Sequence, residues 1–328
     1  MTTILDVCKL ANVSKATVSR VLSGNRKVKD DTRDVVMRAV EQLNYRPNQL
    51  AQTLATKVSN TIGVLTNGLT DMQLGQILRQ LDAALWGQGR SFVLANSVDN
   101  GKTLEQKLDF LAARHCDAIV IVGKNFDSGW FDELDVGQLP PLLTLNVALE
   151  DIDGVQFDQT LTSEMACNYL YTHGHSQIAL LPESGIGGKQ VIQGYRQALE
   201  NRCIPYNKQL VVEHPDCATA ISMLINRCVP FTAVVVPDDH QAIEVIRTLS
   251  QYNIQVPHDV SVISLNTSIE GERYTPAITG FELPEDRMLQ SLLRLLEVNI
   301  KKEHAFASDI NRDFVGKLTI RESVRTME

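Results

Sequence analysis

Hydrophobic positions change their period along the 328 residues of this chain, and the change divides it. Between residues 4 and 43 they recur at helical spacing. Ile4, Leu5, Val7 and Leu10 form one stripe, Val18, Val21 and Leu22 a second, and Val35, Val36, Val40 and Leu43 a third. Ala11-Asn12-Val13 separates the first two as a three-residue turn, and Ser14 is placed to accept from the first amides of the second helix. The third helix is predicted over 31–43 and packs on the other two. Lys15, Ala16, Thr17, Ser19 and Arg20 then fall on the exposed side of the second helix. Small polar and basic side chains at a helix N-terminus suit the major groove of DNA, so the pattern predicts a helix–turn–helix head. Pro47 forbids continuation of the third helix and holds Arg46 extended. After it, residues 49–55 form a helical stretch too short to be stable alone in water. Such a stretch forms when a partner supplies the ordering energy.

From residue 60 the period shortens. Apolar, β-branched runs at 61–66, 91–96, 118–123, 142–146, 177–181, 233–237 and 260–265 alternate with amphipathic stretches at 75–86, 103–114, 165–171, 191–199 and 241–249. Fully apolar strands alternating with helices imply parallel sheets covered on both faces. The count of units favours two doubly wound lobes over one sheet. The fold class expected is therefore α/β, a small all-α head plus a two-lobed, doubly wound parallel-sheet body. Binding chemistry belongs in the loops after the strands.

Charge sharpens the division. The whole chain carries 31 Lys and Arg against 39 Asp and Glu, yet residues 1–60 hold ten basic and five acidic side chains. A basic head on an acidic body is the balance expected when only the head meets polyphosphate. No apolar run of membrane-spanning length and no secretion signal is evident, which points to a cytoplasmic protein. Six scattered cysteines without CxxC spacing read as reduced, mostly buried thiols rather than a zinc site or disulfide framework. His173 and His175 suggest a metal only superficially, since no third ligand is near; Gly174 reads as a helix C-cap with His175 in the turn.

The chain resembles the LacI/GalR family of bacterial repressors. The resemblance rests on DVCKLANVSKATVSRVLSGN, NYRPNQLAQTL, NTIGVL, THGHSQIALL, FTAVVVPDD, VPHDVSVISL, YTPAIT and GKLTIRESV, in order across the chain. It implies domains at 1–44 (head), 45–59 (hinge) and 60–328 (body), with lobe 1 at about 60–158 plus 285–315 and lobe 2 at about 159–284 plus 316–328. It implies a homodimer on a palindromic DNA operator, with a small-molecule effector between the lobes, no cofactor and no membrane. Lys15, Ala16 and Arg20 stand at the family's base-reading positions, and Thr17 and Ser19 where phosphates are met. Leu54 matches a hinge leucine that wedges into the minor groove. Thr3, Ser14, Lys27, Asn48 and Ala51 complete the DNA-binding candidates. With no heptad-bearing tail after GKLTIRESV, a dimer is expected, with contacts from the helix carrying Leu74, Ile77, Leu78 and Leu81.

The effector loops depart from the family. Thr70–Leu74 replaces an Asn-Pro-aromatic pattern, Val191 an arginine, Asn146 an aspartate, and Asn266-Thr267 an Asp pair; Asp238 stands where Asn is common. Effector candidates are Gln73, Asn125, Asn146, Lys189, Gln190, Asp238 and Asn266. With Lys189 and Asp238 as the nearby charges, this set disfavours simple hexoses. It favours a neutral or amide-bearing molecule, or a phosphate near Gly185–Gly188. That glycine loop fails as a Walker A, having Glu183 and Gln190 at the positions that need Gly and Ser/Thr. A sugar- or nucleotide-processing enzyme shares the strand–helix pattern but lacks any nucleophile–base constellation, and a transport receptor would share the body alone. A repressor whose cleft has degenerated, acting constitutively or through a protein partner, is the alternative to effector control.

Overall fold

The computed structural model describes residues 2–22, 28–45, 58–67, 72–97, 101–123, 126, 128–131, 135–147, 149, 152–302 and 309–327. The chain divides into two compact units, Met1–Ser59 and Asn60–Glu328.

In the first unit α1 (Ile4–Ala11), α2 (Lys15–Leu22) and α3 (Asp30–Gln42) enclose a small core of Val7, Ala11, Val18, Val21, Val36 and Ala39. Asn12 closes α1 in the left-handed region, φ 51°, where Asn is tolerated. Two of the predicted stripes shift by a residue. The buried line of α1 runs Val7 and Ala11, with Ile4 and Cys8 packed against it, whereas Leu5 and Leu10 are 57% and 46% exposed. Val35 likewise faces out, and α3 buries Val36 and Ala39.

The second unit holds two sheets. The first has strand order β10-β5-β4-β3-β1-β2, from β1 (Thr61–Thr66), β2 (Ser91–Asn96), β3 (Ala118–Val122), β4 (Leu142–Leu145), β5 (Gly154–Phe157) and β10 (Asp313–Phe314), all parallel. The second is β11-β9-β8-β7-β6, from β6 (Ile178–Leu180), β7 (Ala233–Val236), β8 (Ser261–Ser264), β9 (Thr279–Glu282) and β11 (Lys317–Thr319). Only β11 runs antiparallel to its neighbour. The chain therefore crosses between sheets after β5, after β9 and after β10, so each lobe is built from separated segments.

Strand β3 shows why the runs are wholly apolar. Ala118, Val120 and Val122 face one layer, with α4 (Met72–Gly87) and α11 (Glu285–Lys301). Ile119 and Ile121 face the other, with α5 (Gly101–Ala113). The second sheet is covered by α6 (Gln159–Thr172) and α7 (Ile186–Glu200) on one face, and by α8 (Cys217–Asn226) and α9 (Asp239–Gln251) on the other. A short α10 (Ile269–Arg273) follows β8.

Two expectations change here. Leu74 and Leu81 of α4, expected at a dimer contact, are buried in their own chain's core, and Ile77 and Leu78 pack beside them. Of the cysteines, Cys116, Cys167 and Cys217 are buried, Cys8 is half-buried, and Cys203 and Cys228 are exposed. His175, just after Gly174 at φ 86°, is 1% exposed. Its Nδ1 pairs with Thr232 Oγ1 at 3.0 Å and its Nε2 with the Arg325 carbonyl at 3.0 Å, which ties the strap after β11 to the entry of β6.

Candidate functional site

On the head, Ser14 accepts a hydrogen bond from Thr17 N at 3.2 Å, and its hydroxyl lies 2.9 Å from Thr17 Oγ1. This caps the start of α2 as its sequence predicts. Lys15, Ala16, Ser19 and Arg20 are exposed on the outward face of α2, with Thr17 half-buried, while Val18 and Val21 fasten the opposite face to the core. Thr3 opens α1, and its backbone N–H and hydroxyl both donate to Asp6 Oδ2, at 2.9 and 2.8 Å. Those bonds hold the Asp6 carboxyl below its usual range. Lys27, Asn48, Ala51 and Leu54 lie outside the described residues.

Among the described residues of the body, cavities sit at the strand ends of the two sheets. The largest, ≈ 260 Å³, is walled by Gln76 of α4, by Asn266–Ile269 after β8, by Glu272, by Glu282, Leu283 and Glu285 after β9, and by Arg321 after β11. A small second one lies between Ile77, Gln80, Leu145, Asn146, Leu283, Glu285 and the Met288–Leu289 turn of α11. A third lies between Asn146, Val147, Gln156, Phe157, Gln159 and the start of α7 at Ile186, Gly187 and Gln190. Crevices at the carboxyl ends of strands are where doubly wound sheets bind ligands.

Arg321 organises the large cavity. Its Nη1 donates to Thr267 Oγ1 at 2.7 Å and to the Ile278 carbonyl at 2.9 Å, and its Nη2 to Glu282 Oε1 at 3.2 Å. Glu272 Oε2 lies 3.6 Å from Nη2. Below the wall, Asp239 Oδ2 accepts from Thr267 Oγ1, Ser268 N, Ser268 Oγ and Gly271 N, which pins the 267–271 segment. Burial pushes the Asp239 carboxyl above its usual range against the pull of those donors. Gln80 Nε2 donates to Glu285 Oε2 at 2.7 Å and so orients that carboxylate.

Of the residues expected to meet an effector, Asn146, Gln190 and Asn266 line these cavities. Asn146 closes β4 with φ 62°, and its Oδ1 is buried with no hydrogen-bond partner among the described residues. Asp238 is the N-cap of α9, accepting from Gln241 N at 3.0 Å, and lines none of the three. Lys189 is exposed on α7. The side chains of Gln73 and Asn125 lie outside the described residues. Val191 is buried in the core against α6, so no charged group occupies the expected arginine position. The charges at the large cavity are instead Glu272, Glu282, Glu285 and Arg321, none of which the sequence reading selected. Glu282 ends a strand and Glu285 follows it, so the strand-end rule points to them once β9 is recognised.

The glycines of Gly185–Gly188 have backbone reasons. Gly185 caps α7 at φ 91°, ψ −159°, a conformation closed to other residues. At Gly188 a Cβ would collide with the Glu183 carbonyl. Among the described residues no group of His, Cys, Asp and Glu is arranged to hold a metal ion, and no helix is long and apolar enough to cross a membrane.

A helix–turn–helix head on a two-sheet body with a strand-end cleft defines a ligand-binding-protein fold joined to a DNA-reading module. Residues 3–48 match the model of bacterial regulatory proteins of the lacI family, and residues 167–324 that of a periplasmic binding protein-like domain. The HTH-type transcriptional regulator AscG of Escherichia coli (strain K12) is 32% identical over 99% of this chain and 98% of its own length. The PurR repressor of Vibrio cholerae is 29% identical over 93% of each. The chain belongs to the LacI family and is a helix–turn–helix transcriptional regulator, not an enzyme. Among solved structures, the lac repressor dimer bound to operator and an anti-inducer superposes with a TM-score of 0.88 at 23% identity, covering 99% of both chains. A complex of the regulator CelR with cellobiose gives 0.71 at 26%, covering 98% of this chain and 100% of that one.

Proposed function

We propose that this protein is a cytoplasmic, homodimeric repressor that binds a palindromic operator and answers to a small molecule held in the cleft of its body. In this reading residues 1–44 are the reading head, 45–59 the hinge and 60–328 the effector-binding and dimerising body. Lys15, Ala16 and Arg20 meet bases, Thr17 and Ser19 meet phosphates, and Thr3, Ser14, Lys27, Asn48, Ala51 and Leu54 complete the contact. Gln73, Asn125, Asn146, Lys189, Gln190, Asp238 and Asn266 are the residues assigned to the effector, of which Asn146, Gln190 and Asn266 line cavities.

The observation that carries this reading is the outward face of α2, where small polar and basic side chains stand exposed on a helix capped by Ser14 and fastened by Val18 and Val21. One such helix touches too few bases for specificity. Two heads related by a dimer's twofold axis read two half-sites at fixed spacing. Relatives bound to operator and to cellobiose support both halves of the proposal. Selection of random duplexes on the purified full chain is expected to enrich a twofold-symmetric sequence. Enrichment of an asymmetric site, or of none, refutes it.

The alternative of an idle cleft draws on one observation, the loss of the expected arginine at Val191. The ≈ 260 Å³ cavity, and the buried Asn146 Oδ1 that meets no partner among the described residues, favour an occupied one.

A further inference from the structure

Arg321 is the cation among the described residues that line the large cavity, and its side chain is only 10% exposed. Two of its partners, Thr267 and Glu272, belong to one segment, the loop and short helix α10 that follow β8. Where that segment lies decides where the guanidinium lies. The segment in turn hangs on Asp239, the first residue of α9, which is 2% exposed and does not line the cavity. Asp239 Oδ2 accepts from Thr267 Oγ1 at 3.0 Å, from the Ser268 N–H, from Ser268 Oγ at 3.1 Å and from the Gly271 N–H at 3.1 Å. The fit leaves no room for a side chain at 271, where a Cβ would collide with the Asp239 carboxylate.

The direction of the bonds through Thr267 is forced. A guanidinium only donates, so Thr267 Oγ1 accepts from Arg321 Nη1 at 2.7 Å, and the hydroxyl proton turns to Asp239 Oδ2. Thr267 is 6% exposed, so both bonds lie out of water. A hydroxyl that accepts from a cation and donates to an anion is polarised by both, and each bond strengthens the other. Arg321 and Asp239 thus balance each other across one hydroxyl without touching. Gly271 N and Ser268 N add backbone donors to the same oxygen, which ties the chain of 267–271 to the carboxylate as firmly as the side chains.

Resting on the effector reading above, we propose that Asp239 is a positioning residue of the effector cavity. From outside the cavity it sets the wall at 267–272 and, through the Thr267 hydroxyl, the orientation of the Arg321 guanidinium. A cation fixed in advance spares an incoming ligand the cost of ordering it. The carboxylate therefore acts on the effector at second hand, and its removal releases the wall and the cation together.

The test reads both on the full-length protein without any effector. Phenylglyoxal, which modifies arginine, reports the freedom of Arg321 by mass spectrometry, with Arg312, paired with Asp153 at the first sheet, as the control site. Hydrogen exchange reports the Ser268 and Gly271 amides. In Asp239→Ala, labelling of Arg321 is expected to quicken about fivefold or more and the two amides to lose about tenfold or more of their protection, with Arg312 unchanged. Thr267→Val, which removes the hydroxyl alone, is expected to quicken Arg321 labelling while the amides stay protected. Asp239→Asn, which keeps one oxygen facing the donors, is expected to restore most of the amide protection. Melting temperatures show that each variant folds, and Thr267→Val and Asp239→Asn decide the matter if Asp239→Ala does not. Unchanged labelling of Arg321 in Thr267→Val overturns the proposal. So does loss of protection throughout the body with faster labelling of Arg312, which would make Asp239 a support of the fold at large. Such a failure leaves the repressor reading standing if the chain still enriches a twofold duplex. The expected labelling pattern in a chain that enriches no duplex keeps Asp239 as the support of this wall and refutes the repressor reading.

Discussion

The outward groups of the head come from one short helix and its cap, Ser14 to Arg20, whereas the wall of the large cavity draws on segments running from Gln76 to Arg321. The head's polar groups are positioned by local bonds, Ser14 to Thr17 and Thr3 to Asp6, over a core of six buried side chains. The cavity's groups are positioned by sheet packing and by long-range bonds, such as Arg321 to Thr267 and Gln80 to Glu285. A reader built from one contiguous segment can be changed one contact at a time. A cleft assembled from many segments depends on every layer beneath it.

The largest effect expected from this contrast is on the body's stability. Leu292 of α11 is fully buried against the first sheet, so Leu292→Ala is expected to cost about 2–5 kcal/mol. By calorimetry the body's melting transition falls, while helix content contributed by residues 4–42 is retained to its own midpoint. A head that melts in step with the body would erase the distinction between the two units.

A smaller effect is expected at Arg20. Arg20→Ala should cost about 1–3 kcal/mol against the preferred base and relax preference at one position per half-site. Uniform weakening on every duplex would make Arg20 a phosphate contact instead. Lys27→Ala should weaken all sequences alike and lower the salt slope by about one. An unchanged slope would remove Lys27 from the interface.

The smallest effect concerns pH and belongs to the body alone. Burial lowers the pKa of His175 from its ordinary 6.5, against the opposing pull of the Arg325 carbonyl that its Nε2 meets. Above that value neither folded nor unfolded ring carries a proton and the group is silent. As pH falls through 6.5 the unfolded chain takes up a proton that the folded one resists, so stability declines. His175→Gln should flatten this part of the curve of unfolding free energy against pH. An unaltered slope between pH 7 and 5 would show that other groups set it.

How much of this the sequence discloses follows the same contrast. The head is legible because cap, turn and stripe are neighbours in sequence. Even there Leu5 and Leu10 mislead, since hydrophobicity alone does not say which side of a short helix has something to pack on. Strands β1, β3 and β7 announce themselves as apolar runs because both of their faces are covered, and β2 reads the same way although it is an edge strand with Leu94 exposed. Strands β5, β9 and β10 do not. β5 alternates buried and half-buried residues, β9 ends in exposed Glu282, and β10 is only Asp313–Phe314. Missing β9 hides the segment that delivers Glu282 and Glu285. Arg321 is invisible for a related reason, since its partners Thr267 and Ile278 are distant in sequence and are joined to it by the antiparallel pairing of β11 with β9. Asn146 and Asn266 were within reach because each follows an apolar strand that the sequence shows plainly.

The central claim, that two heads of this chain read one operator together, is tested most directly by a binding titration. The selected duplex is compared with the same duplex scrambled in one half-site, at one fixed salt concentration. Loss of affinity by about a thousandfold or more, toward the level of random duplex, is the predicted result. Equal affinity for the two duplexes would show that a single head suffices and would contradict the account.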